Sequence, residues 1–218
     1  MNASDSLAGQ IAALQAEMIP NIPRDTLSTM MSATQTLADS RQAEKALNAG
    51  DVCPDFELGN AHGVKVRLSE QLKNGPTVIS FYRGAWCPYC NLEIHALKNN
   101  LDAFRQHGAD LIAISPQVPD KSLSQTNDLH LEFEVLSDIG NEIAKQFGLV
   151  FTVSPELRPI YDTFGIDIAD HNGDDNFEIP IPATYIVDSD RKIRFGFVNA
   201  DYTQRLEPST IIEELQKL

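Results

Sequence analysis

The fold class of this 218-residue chain is decided by residues 77–115, TVISFYRGAWCPYCNLEIHALKNNLDAFRQHGADLIAIS. The run TVISFY has the length and apolar character of a buried strand, and LIAIS is a second one. Between them a helical pattern runs from Pro88 to about Gln106, and Gly108 closes it. The order strand, helix, strand predicts a right-handed parallel crossover unit and therefore an α/β domain.

The residues around this unit extend the same domain. DFEL and VKVRL, joined by GNAHG, predict a β-hairpin, and ATYIV and IRFGFV predict an antiparallel pair. A last helix is predicted from Pro208. Residues 151–182 contain four prolines and no clean periodicity, and we interpret them as a long ordered insertion that could wall a pocket. The whole predicts a central mixed sheet flanked by helices.

An amino-terminal arm precedes the domain. Helical spacing of Leu7, Ile11, Leu14 and Met18 predicts one helix, the segment from Pro20 interrupts it, and a second helical stretch runs toward Gly50. We therefore divide the chain into a helical extension, residues 1–48, and a domain, residues 49–218. Because apolar helix faces need a surface to cover, the arm is consistent with a homodimer.

Charge and hydropathy narrow the classes of function. With 31 acidic and 17 basic residues the net charge is −14, which disfavours nucleic acid and anionic membranes as partners. No apolar run approaches the roughly 20 residues of a membrane-spanning helix, and the start MNASDSLAGQ does not resemble a signal peptide. We expect a cytosolic protein, where a CxxC pair is more often redox-active or metal-binding than structural.

The two cysteines of WCPYC predict redox chemistry. If Cys87 is the N-cap and Pro88 the first helical residue, the sulfur faces the free amides of Tyr89 and Cys90, which stabilises a thiolate. Cys90 lies one turn further on, within the distance a disulfide tolerates. Cys87 would attack a peroxide oxygen or a disulfide sulfur, and Cys90 would resolve the product as an internal disulfide, without a cofactor.

Three other interpretations compete with this one. A purely structural pair would be buried and inert. A metal site would have only Cys87, Cys90 and His95 as ligands, and His95 lies on another face of the helix, so no metal is predicted. A redox sensor or scaffold without enzymatic activity would use the same cysteines to control a partner.

The order of several segments resembles a known family. WCPYC alone resembles the active site of thioredoxins and glutaredoxins. VCPDFEL, VISFYRGAWCPYCNLEIHAL, LIAISPQ, VLSDIGNEIAKQFGL and IPATYIVDSD together resemble the alkyl hydroperoxide reductase and thiol-specific antioxidant family, the peroxiredoxins, in the branch that carries CxxC. The resemblance covers about residues 50–218. It implies a thioredoxin-like fold, a peroxidatic Cys87, a hydroperoxide substrate, and thioredoxin, glutaredoxin or glutathione as the reductant.

This sequence departs from the family pattern at two points. Typical members carry Pro-x-x-x-Thr-x-x-Cys, and here Ser80 and Gly84 occupy the proline and threonine positions. They also carry a distant arginine before the strand ATYIV, where this chain has Pro182. Pro182 resembles the cis-proline that faces the CxxC of thioredoxins, a surface suited to disulfide substrates. The alternative is an ordinary trans proline at a strand start.

Neighbours of the cysteines complete the candidate site. Arg83 could supply the missing cation or be a solvated surface arginine. We expect Trp86 to shield the sulfur, the alternative being simple packing, and Tyr82 either to lend its hydroxyl to the pocket or to pack in the core. Cys53 is expected to be buried and inert rather than a second resolving cysteine. The first functional hypothesis is hydroperoxide reduction, and the second is reduction of protein or glutathione disulfides.

Overall fold

The computed structural model describes residues 6–218, whose strands form a seven-stranded and a two-stranded sheet. The strands are β1 (Glu57–Asn60), β2 (Lys65–Arg67), β3 (Thr77–Phe81), β4 (Asp110–Ser115), β5 (Glu134–Ser137), β6 (Val150–Thr152), β7 (Glu178–Pro180), β8 (Ala183–Val187) and β9 (Ile193–Val198).

The helices cover the large sheet and build the arm. They are α1 (Leu7–Met18), α2 (Arg24–Asp39), α3 (Leu68–Gln71), α4 (Pro88–Asn99), α5 (Leu101–Gln106), α6 (Pro119–Leu129), α7 (Glu142–Gln146), α8 (Arg158–Thr163), α9 (Ile168–Asn172) and α10 (Pro208–Leu215). Short 3₁₀ turns cover Ile19–Asn21, Gln42–Lys45, Leu72–Asn74 and Ile139–Asn141.

One predicted helix is divided in two. The pattern from Pro88 to Gln106 predicts a single helix, but Asn100 has φ −110° and ψ 5° and separates α4 from α5. Its side-chain Nδ2 donates to the carbonyl of Ala96 at 2.8 Å. Asparagine often bonds to nearby backbone in this way and thereby competes with the helical pattern.

The large sheet is mixed, as predicted, with strand order β2-β1-β5-β4-β3-β8-β9. β3 pairs in parallel with β4, and β4 with β5, which confirms the parallel unit inferred from residues 77–115. β8 runs antiparallel to β3 and β9, while β1 runs antiparallel to β2 and β5. Phe81, at the end of β3, lies opposite Ile114 and Ala183, so the chain leaves the middle of the sheet at this point.

Alternate residues of β3 enter cores on opposite faces of the sheet. Val78 belongs to the core that also contains both cysteines of the CxxC pair. Ile79 and Phe81 belong to the other core, which contains Tyr185 and Phe147. The strand is therefore buried on both faces, as its continuous apolar sequence predicts.

The arm packs on its own chain. Leu7 and Ile11 of α1 are buried in the core beside α4, and the Glu207 carboxylate accepts the amide N–H groups of Leu7 and Ala8 at 3.1 and 2.7 Å. This caps the positive end of α1 and fixes it near the start of α10. The predicted first helix began at residue 4, and residues 1–5 lie outside the described residues. The boundary at residue 48 and the homodimer stay predictions.

The insertion is ordered and has a small core of its own. β6 and β7 pair antiparallel, with Phe151 opposite Ile179. Tyr161 of α8 is buried in this core, and Met30 of α2 and Trp86 pack against it. The insertion therefore joins the arm to the loop that carries the cysteines.

The expectation of a cis bond before Pro182 is wrong. Every peptide bond of the described residues is trans, Ile181–Pro182 included. The amide of Ile181 donates to the carbonyl of Leu149 at 2.9 Å, and Pro182 passes directly into β8. Because the chain makes no tight turn there, the ordinary trans preference of the bond is kept.

Among residues 6–218, no helix is both long and apolar enough to cross a membrane.

Candidate active site

Cys87 lies where β3 passes into α4. It has extended backbone angles, φ −93° and ψ 112°, and is the N-cap of α4, while Pro88 takes the first helical turn. Its carbonyl accepts the first helical hydrogen bond, from the Asn91 amide at 3.0 Å. This is the arrangement predicted from WCPYC, because proline loses no hydrogen bond at the first helical position. The side chain of Cys87 makes no standard capping hydrogen bond, but the backbone amide of Cys90, one of the two free amides expected to face the sulfur, contributes to lowering the pKa of Cys87.

The two thiols are ionised to different extents. Burial opposes ionisation of Cys87, but the neighbouring Cys90 thiol and the guanidinium groups of Arg83 and Arg205 offset it, so the pKa of Cys87 is lowered. Burial raises the pKa of Cys90, and the hydrogen bond with Cys87 and then the charge of Cys87 raise it further. Both cysteines are reduced in the structure. A thiolate at Cys87 beside a thiol at Cys90 is the pairing that nucleophile and resolving cysteine require.

Arg83 is buried rather than solvated. Its guanidinium carbon lies 4.7 Å from the ring centre of Trp86, 4.4 Å from that of Tyr202 and 5.8 Å from that of Tyr161. Nη2 donates to the Tyr161 hydroxyl, whereas Nε has no hydrogen-bond partner among the described residues. Aromatic faces stabilise a cation without neutralising it, so the charge of Arg83 remains effective at Cys87.

A second buried arginine lies on the other side of the pair. Arg205, in the segment between β9 and α10, donates from Nη2 to Cys90 Sγ at 3.4 Å. Its Nε lies 3.0 Å from Oε2 of Glu93 on α4, and both side chains are almost fully buried. Burial raises the pKa of Glu93, and the cation of Arg205 opposes this rise. Thr184 of β8 also donates to Glu93, at 3.4 Å.

A network of side-chain amides fixes the loop before Cys87. Gln117 Oε1 accepts from the amide of Ala85 at 3.0 Å, and Asn91 Nδ2 donates to the carbonyl of Ala85 at 2.8 Å. Gln125 connects the two, because it donates to Asn91 and accepts from Gln117 and the Tyr82 hydroxyl. Both the amide and the carbonyl of Ala85 are thus hydrogen-bonded, which fixes the conformation of the loop.

Tyr82 is part of this network rather than of a pocket wall. It is fully buried, and its hydroxyl is bonded to Gln125 at 2.8 Å and Gln117 at 3.2 Å. The structure therefore does not bring Tyr82 to the substrate space, and its role there is corrected to support of the loop. Tyr82 therefore packs in the core. A buried hydroxyl needs hydrogen-bond partners, and the two glutamines supply them.

The backbone and the surroundings of Gly84 explain why this chain has no threonine at position 84, where the family pattern has one. Its φ of +142° is disfavoured for other residues, and an added Cβ would lie 2.6 Å from Nε1 of Trp86. The indole thus occupies the space that a side chain at position 84 would need. Trp86 is half-buried, and its ring centre lies 5.7 Å from that of Tyr161.

Cys87, but not Cys90, lines a cavity of about 560 Å³ between the arm and the domain. Cys87 contributes to its wall although the side chain is only 1% exposed. Arg83 and Asp201 are the charged residues among the described lining side chains. The apolar lining comes from the arm, the CxxC loop, the insertion and the segment after β9, as Met18, Ile19, Ile22, Leu27, Met30, Met31, Trp86, Pro88, Tyr161, Phe164, Ile166 and Tyr202.

The remaining sequence-based candidates lie outside this cavity. Pro182 is buried at the start of β8 and does not line the cavity. Cys53 is fully buried, and burial raises its pKa to about 12, as expected of an inert thiol. Within the described part of the chain, His, Cys, Asp and Glu side chains form no cluster that could hold a metal ion.

Sequence reasoning missed four residues of the site: Glu93, Tyr161, Tyr202 and Arg205. Glu93 has a local signal, since it is an acid on the otherwise buried side of α4, one turn after Cys90. Tyr161 comes from the insertion, and Tyr202 and Arg205 follow β9, so only the fold brings them to the cysteines.

Comparison with known proteins places these features in a family. The model of the AhpC/TSA family matches residues 49–195. A chloroplastic peroxiredoxin Q of Populus jackii is 26% identical over 191 residues, which are 88% of this chain and 76% of that protein. Peroxiredoxin Bcp of Escherichia coli K12 is 31% identical over 103 residues, which are 47% of this chain and 65% of that protein.

Solved structures resemble the fold. Peroxidoxin BcpB of Mycobacterium tuberculosis superposes with a TM-score of 0.63 at 23% identity, covering 79% of this chain and 98% of that one. A cysteine-to-serine mutant of Xylella fastidiosa PrxQ gives a TM-score of 0.62 at 15% identity, covering 78% of this chain and 96% of that one. These likenesses confirm the predicted thioredoxin-like fold of peroxiredoxin type.

Proposed function

This chain belongs to the AhpC/TSA family, and from that membership we propose that it is a thiol-dependent peroxidase in which Cys87 attacks hydroperoxides and Cys90 resolves the product. The observation that carries the assignment is the position of Cys87, which is the N-cap of α4 and lines the cavity that Arg83 also lines, whereas Cys90 does not line it. In keeping with this position, the pKa of Cys87 is lowered and that of Cys90 is raised. Only the thiolate is nucleophilic, so the pair has a preferred direction of reaction.

The proposed cycle balances with the two thiols and an external reductant. The Cys87 thiolate attacks the terminal oxygen of ROOH, the O–O bond breaks, and the alkoxide leaves as an alcohol after taking a proton. Cys87 becomes a sulfenic acid. Cys90 then attacks the sulfur, forming the Cys87–Cys90 disulfide and releasing water. One dithiol or two monothiols then supply the two reducing equivalents that restore both cysteines, and leave as a disulfide.

Arg83 is suited to assist the first step. Charge develops on the leaving oxygen as the O–O bond breaks, and a buried cation at that point stabilises it. Arg83 and Cys87 line the same cavity, and Nε of Arg83 has no hydrogen-bond partner among the residues described. We assign Arg83 to binding of the hydroperoxide oxygens. Trp86 is assigned to shielding the sulfur from bulk water.

The second hypothesis, reduction of protein disulfides, has less support. A protein disulfide must place its sulfur in line with the attacking sulfur, and Cys87 is 1% exposed at the wall of a cavity that the arm partly covers. Of the features that favoured a disulfide substrate, the cis bond at Pro182 is absent, whereas the CPYC loop and the missing threonine remain. A small hydroperoxide needs no such approach of a second protein to Cys87.

The reductant is the one that the family resemblance implies, whereas the location is the one expected from the sequence. We propose thioredoxin, glutaredoxin or glutathione as the source of electrons and the cytosol as the compartment. The burial of both cysteines favours a small thiol, since a protein reductant needs the cavity wall to open before it reaches the disulfide.

The experiment that tests the proposal measures hydrogen peroxide consumption by the protein with each of the three reductants, beside Cys87→Ser. We expect consumption that depends on protein and is lost in Cys87→Ser. Equal consumption by the two proteins would contradict the proposal.

A further inference from the structure

We propose that helix α1 selects the reductant: it covers the CxxC segment and excludes a protein dithiol, while the cavity beside Cys87 admits a small thiol. The inference rests on the proposed peroxidase cycle and concerns its last step, the reduction of the Cys87–Cys90 disulfide. Of the three proposed reductants it favours glutathione over the two proteins. It also assigns a function to the arm, which lies outside the region that the family model matches.

Helix α1 packs on the CxxC segment. Three of the four residues of CPYC are buried and Pro88 is half-buried, so none of the motif is exposed. Ile11 of α1 is buried in the core that contains both cysteines. Gln15, one turn further along α1, hydrogen-bonds through its side chain with Tyr89, which lies between the two cysteines in the sequence. A second protein therefore meets α1 before it meets Tyr89.

The polar side chains that the arm contributes to the cavity lining differ in their partners. They are Gln15, Thr34 and Gln35. The hydroxyl of Thr34 donates to the carbonyl of Met30 at 3.1 Å, and Gln35 donates to the carboxylate of Asp39 at 2.7 Å. Both of these bonds stay within α2. Of the three side chains, Gln15 is thus the one that connects its helix to the CxxC motif.

Glu207 holds the start of α1 on the domain. Its carboxylate accepts the amides of Leu7 and Ala8 at 3.1 and 2.7 Å. Charge-assisted bonds at the positive end of a helix are strong, because the helix dipole adds to them. The same carboxylate makes no capping bond to α10, although Glu207 is the N-cap of that helix. Its side chain therefore serves the docking of α1.

The cavity gives a small thiol a route that a protein lacks. Ile19 and Phe164 of its lining are 40% and 42% exposed, so it opens at the surface. Its volume of about 560 Å³ falls within the range of about 300–1,000 Å³ typical of small-molecule sites. A protein carries its thiols on a contact surface, and even weak redox encounters bury up to about 1,200 Å² in total. Such a surface reaches the motif only after α1 has left Tyr89.

The step that α1 controls is a thiol–disulfide exchange. A thiolate of the reductant attacks the sulfur of Cys87, which lines the cavity, the bond to Cys90 breaks, and the sulfur of Cys90 takes a proton. A second thiolate, from the same dithiol or another monothiol, then attacks the reductant's sulfur in the mixed disulfide. Cys87 leaves as a thiolate, and the reductant leaves as a disulfide.

The test measures how fast thioredoxin and dithiothreitol reduce the Cys87–Cys90 disulfide of the full chain. Both reductants are dithiols, and they differ greatly in size. Diamide, a two-electron thiol oxidant, prepares the disulfide without a hydroperoxide. Samples are quenched, unfolded, alkylated and weighed by mass spectrometry. Because the chain has three cysteines, the disulfide form takes one alkyl label and the reduced form takes three.

Two variants loosen α1 by different routes. Glu207→Ala removes the carboxylate at its start, and Ile11→Ala reduces its apolar face. Each should raise the rate constant with thioredoxin at least about threefold and change that with dithiothreitol less than about twofold, since only the protein needs α1 undocked. Hydrogen exchange of the α1 amides should rise in both. Glu213→Ala, at an exposed position of α10, is the control and should change none of these quantities.

Three results would overturn the inference and leave the peroxidase function standing. The first is faster hydrogen exchange in α1 with an unchanged thioredoxin rate, and the second is an equal gain with both reductants. The third is unchanged hydrogen exchange in both variants, which would show that Glu207 and Ile11 do not hold α1. The proposed function fails separately, if hydrogen peroxide does not form the disulfide that diamide forms. If diamide does not join Cys87 to Cys90 either, both fail.

Discussion

The guanidinium of Arg205 donates a hydrogen bond of 3.4 Å to the sulfur of Cys90, 115 positions earlier in the chain. The same guanidinium is paired with Glu93 at 3.0 Å. Cys90 therefore lies beside a buried cation whose charge is balanced by a buried acid. Together with Arg83, Arg205 places two buried cations near the cysteine pair, and both favour the thiolate of Cys87.

Loss of Arg205 should destabilise the fold. Arg205→Met leaves the carboxylate of Glu93 buried without its cation, and breaking a buried pair in this way costs about 3–5 kcal/mol. Urea unfolding measures the free energy of unfolding. The double variant Arg205→Met/Glu93→Gln removes both charges and should recover part of the loss; a single variant as stable as the parent would contradict the pairing.

The reactivity of Cys87 should persist to lower pH than that of a free thiol. Its pKa is lowered despite burial, because Cys90, Arg83 and Arg205 favour the thiolate. The alkylation rate with iodoacetamide should be constant above the lowered pKa and fall as the pH falls through it, because protonation removes the nucleophile. A midpoint at or above about 8.5, the value of a free thiol, would contradict this.

Arg83→Met serves as the matched variant for that titration. Removing the cation should move the midpoint of Cys87 alkylation to higher pH, since the thiolate loses one of its stabilising charges. Lys98→Met, in the last turn of α4 and outside the cavity lining, is the control for loss of a positive charge and should leave the midpoint in place.

The two cysteine variants should stop the cycle at different points. Cys87→Ser lacks the nucleophile and should show no turnover. Cys90→Ser should still be oxidised once by a hydroperoxide and then hold Cys87 as a sulfenic acid, because the resolving thiol is missing. Mass spectrometry with a sulfenic-acid reagent detects the product, and label found on Cys53 instead of Cys87 would reverse the assignment.

The amide network should matter for stability and for the position of Cys87. Gln117→Leu leaves the amide of the half-buried Ala85 without its acceptor; an unsatisfied donor costs about 1–3 kcal/mol when fully buried, so we expect a loss toward the lower end of that range. Urea unfolding and the alkylation rate of Cys87 should both change. Gln106→Leu, at an exposed position in α5, is the control and should change neither.

Local sequence predicts the part of this molecule that local forces determine. Residues 77–115 contain both strand runs, the proline that starts α4 and the cysteine before it, so the crossover unit and the N-cap position of Cys87 are predictable. The break at Asn100 is not, because the apolar face continues through it and a side-chain hydrogen bond decides the geometry.

The surroundings of the cysteines depend on contacts between distant residues. Tyr161 and Arg205 reach the site only because the insertion and the segment after β9 pack there. Neither segment has a sequence periodicity that predicts this packing. Arg83 could be read from sequence as either solvated or buried. Its burial follows from three aromatic rings, and two of them come from outside residues 77–115.

The central claim is that Cys87 reacts directly with hydroperoxides, and stopped-flow fluorescence tests it most directly. Trp86 is the only tryptophan of the chain and adjoins Cys87, so its emission reports oxidation at the sulfur. The reduced protein is mixed separately with hydrogen peroxide, cumene hydroperoxide and oxidised glutathione. We predict a rapid change with the hydroperoxides that is absent in Cys87→Ser; a response to the disulfide alone would contradict the account.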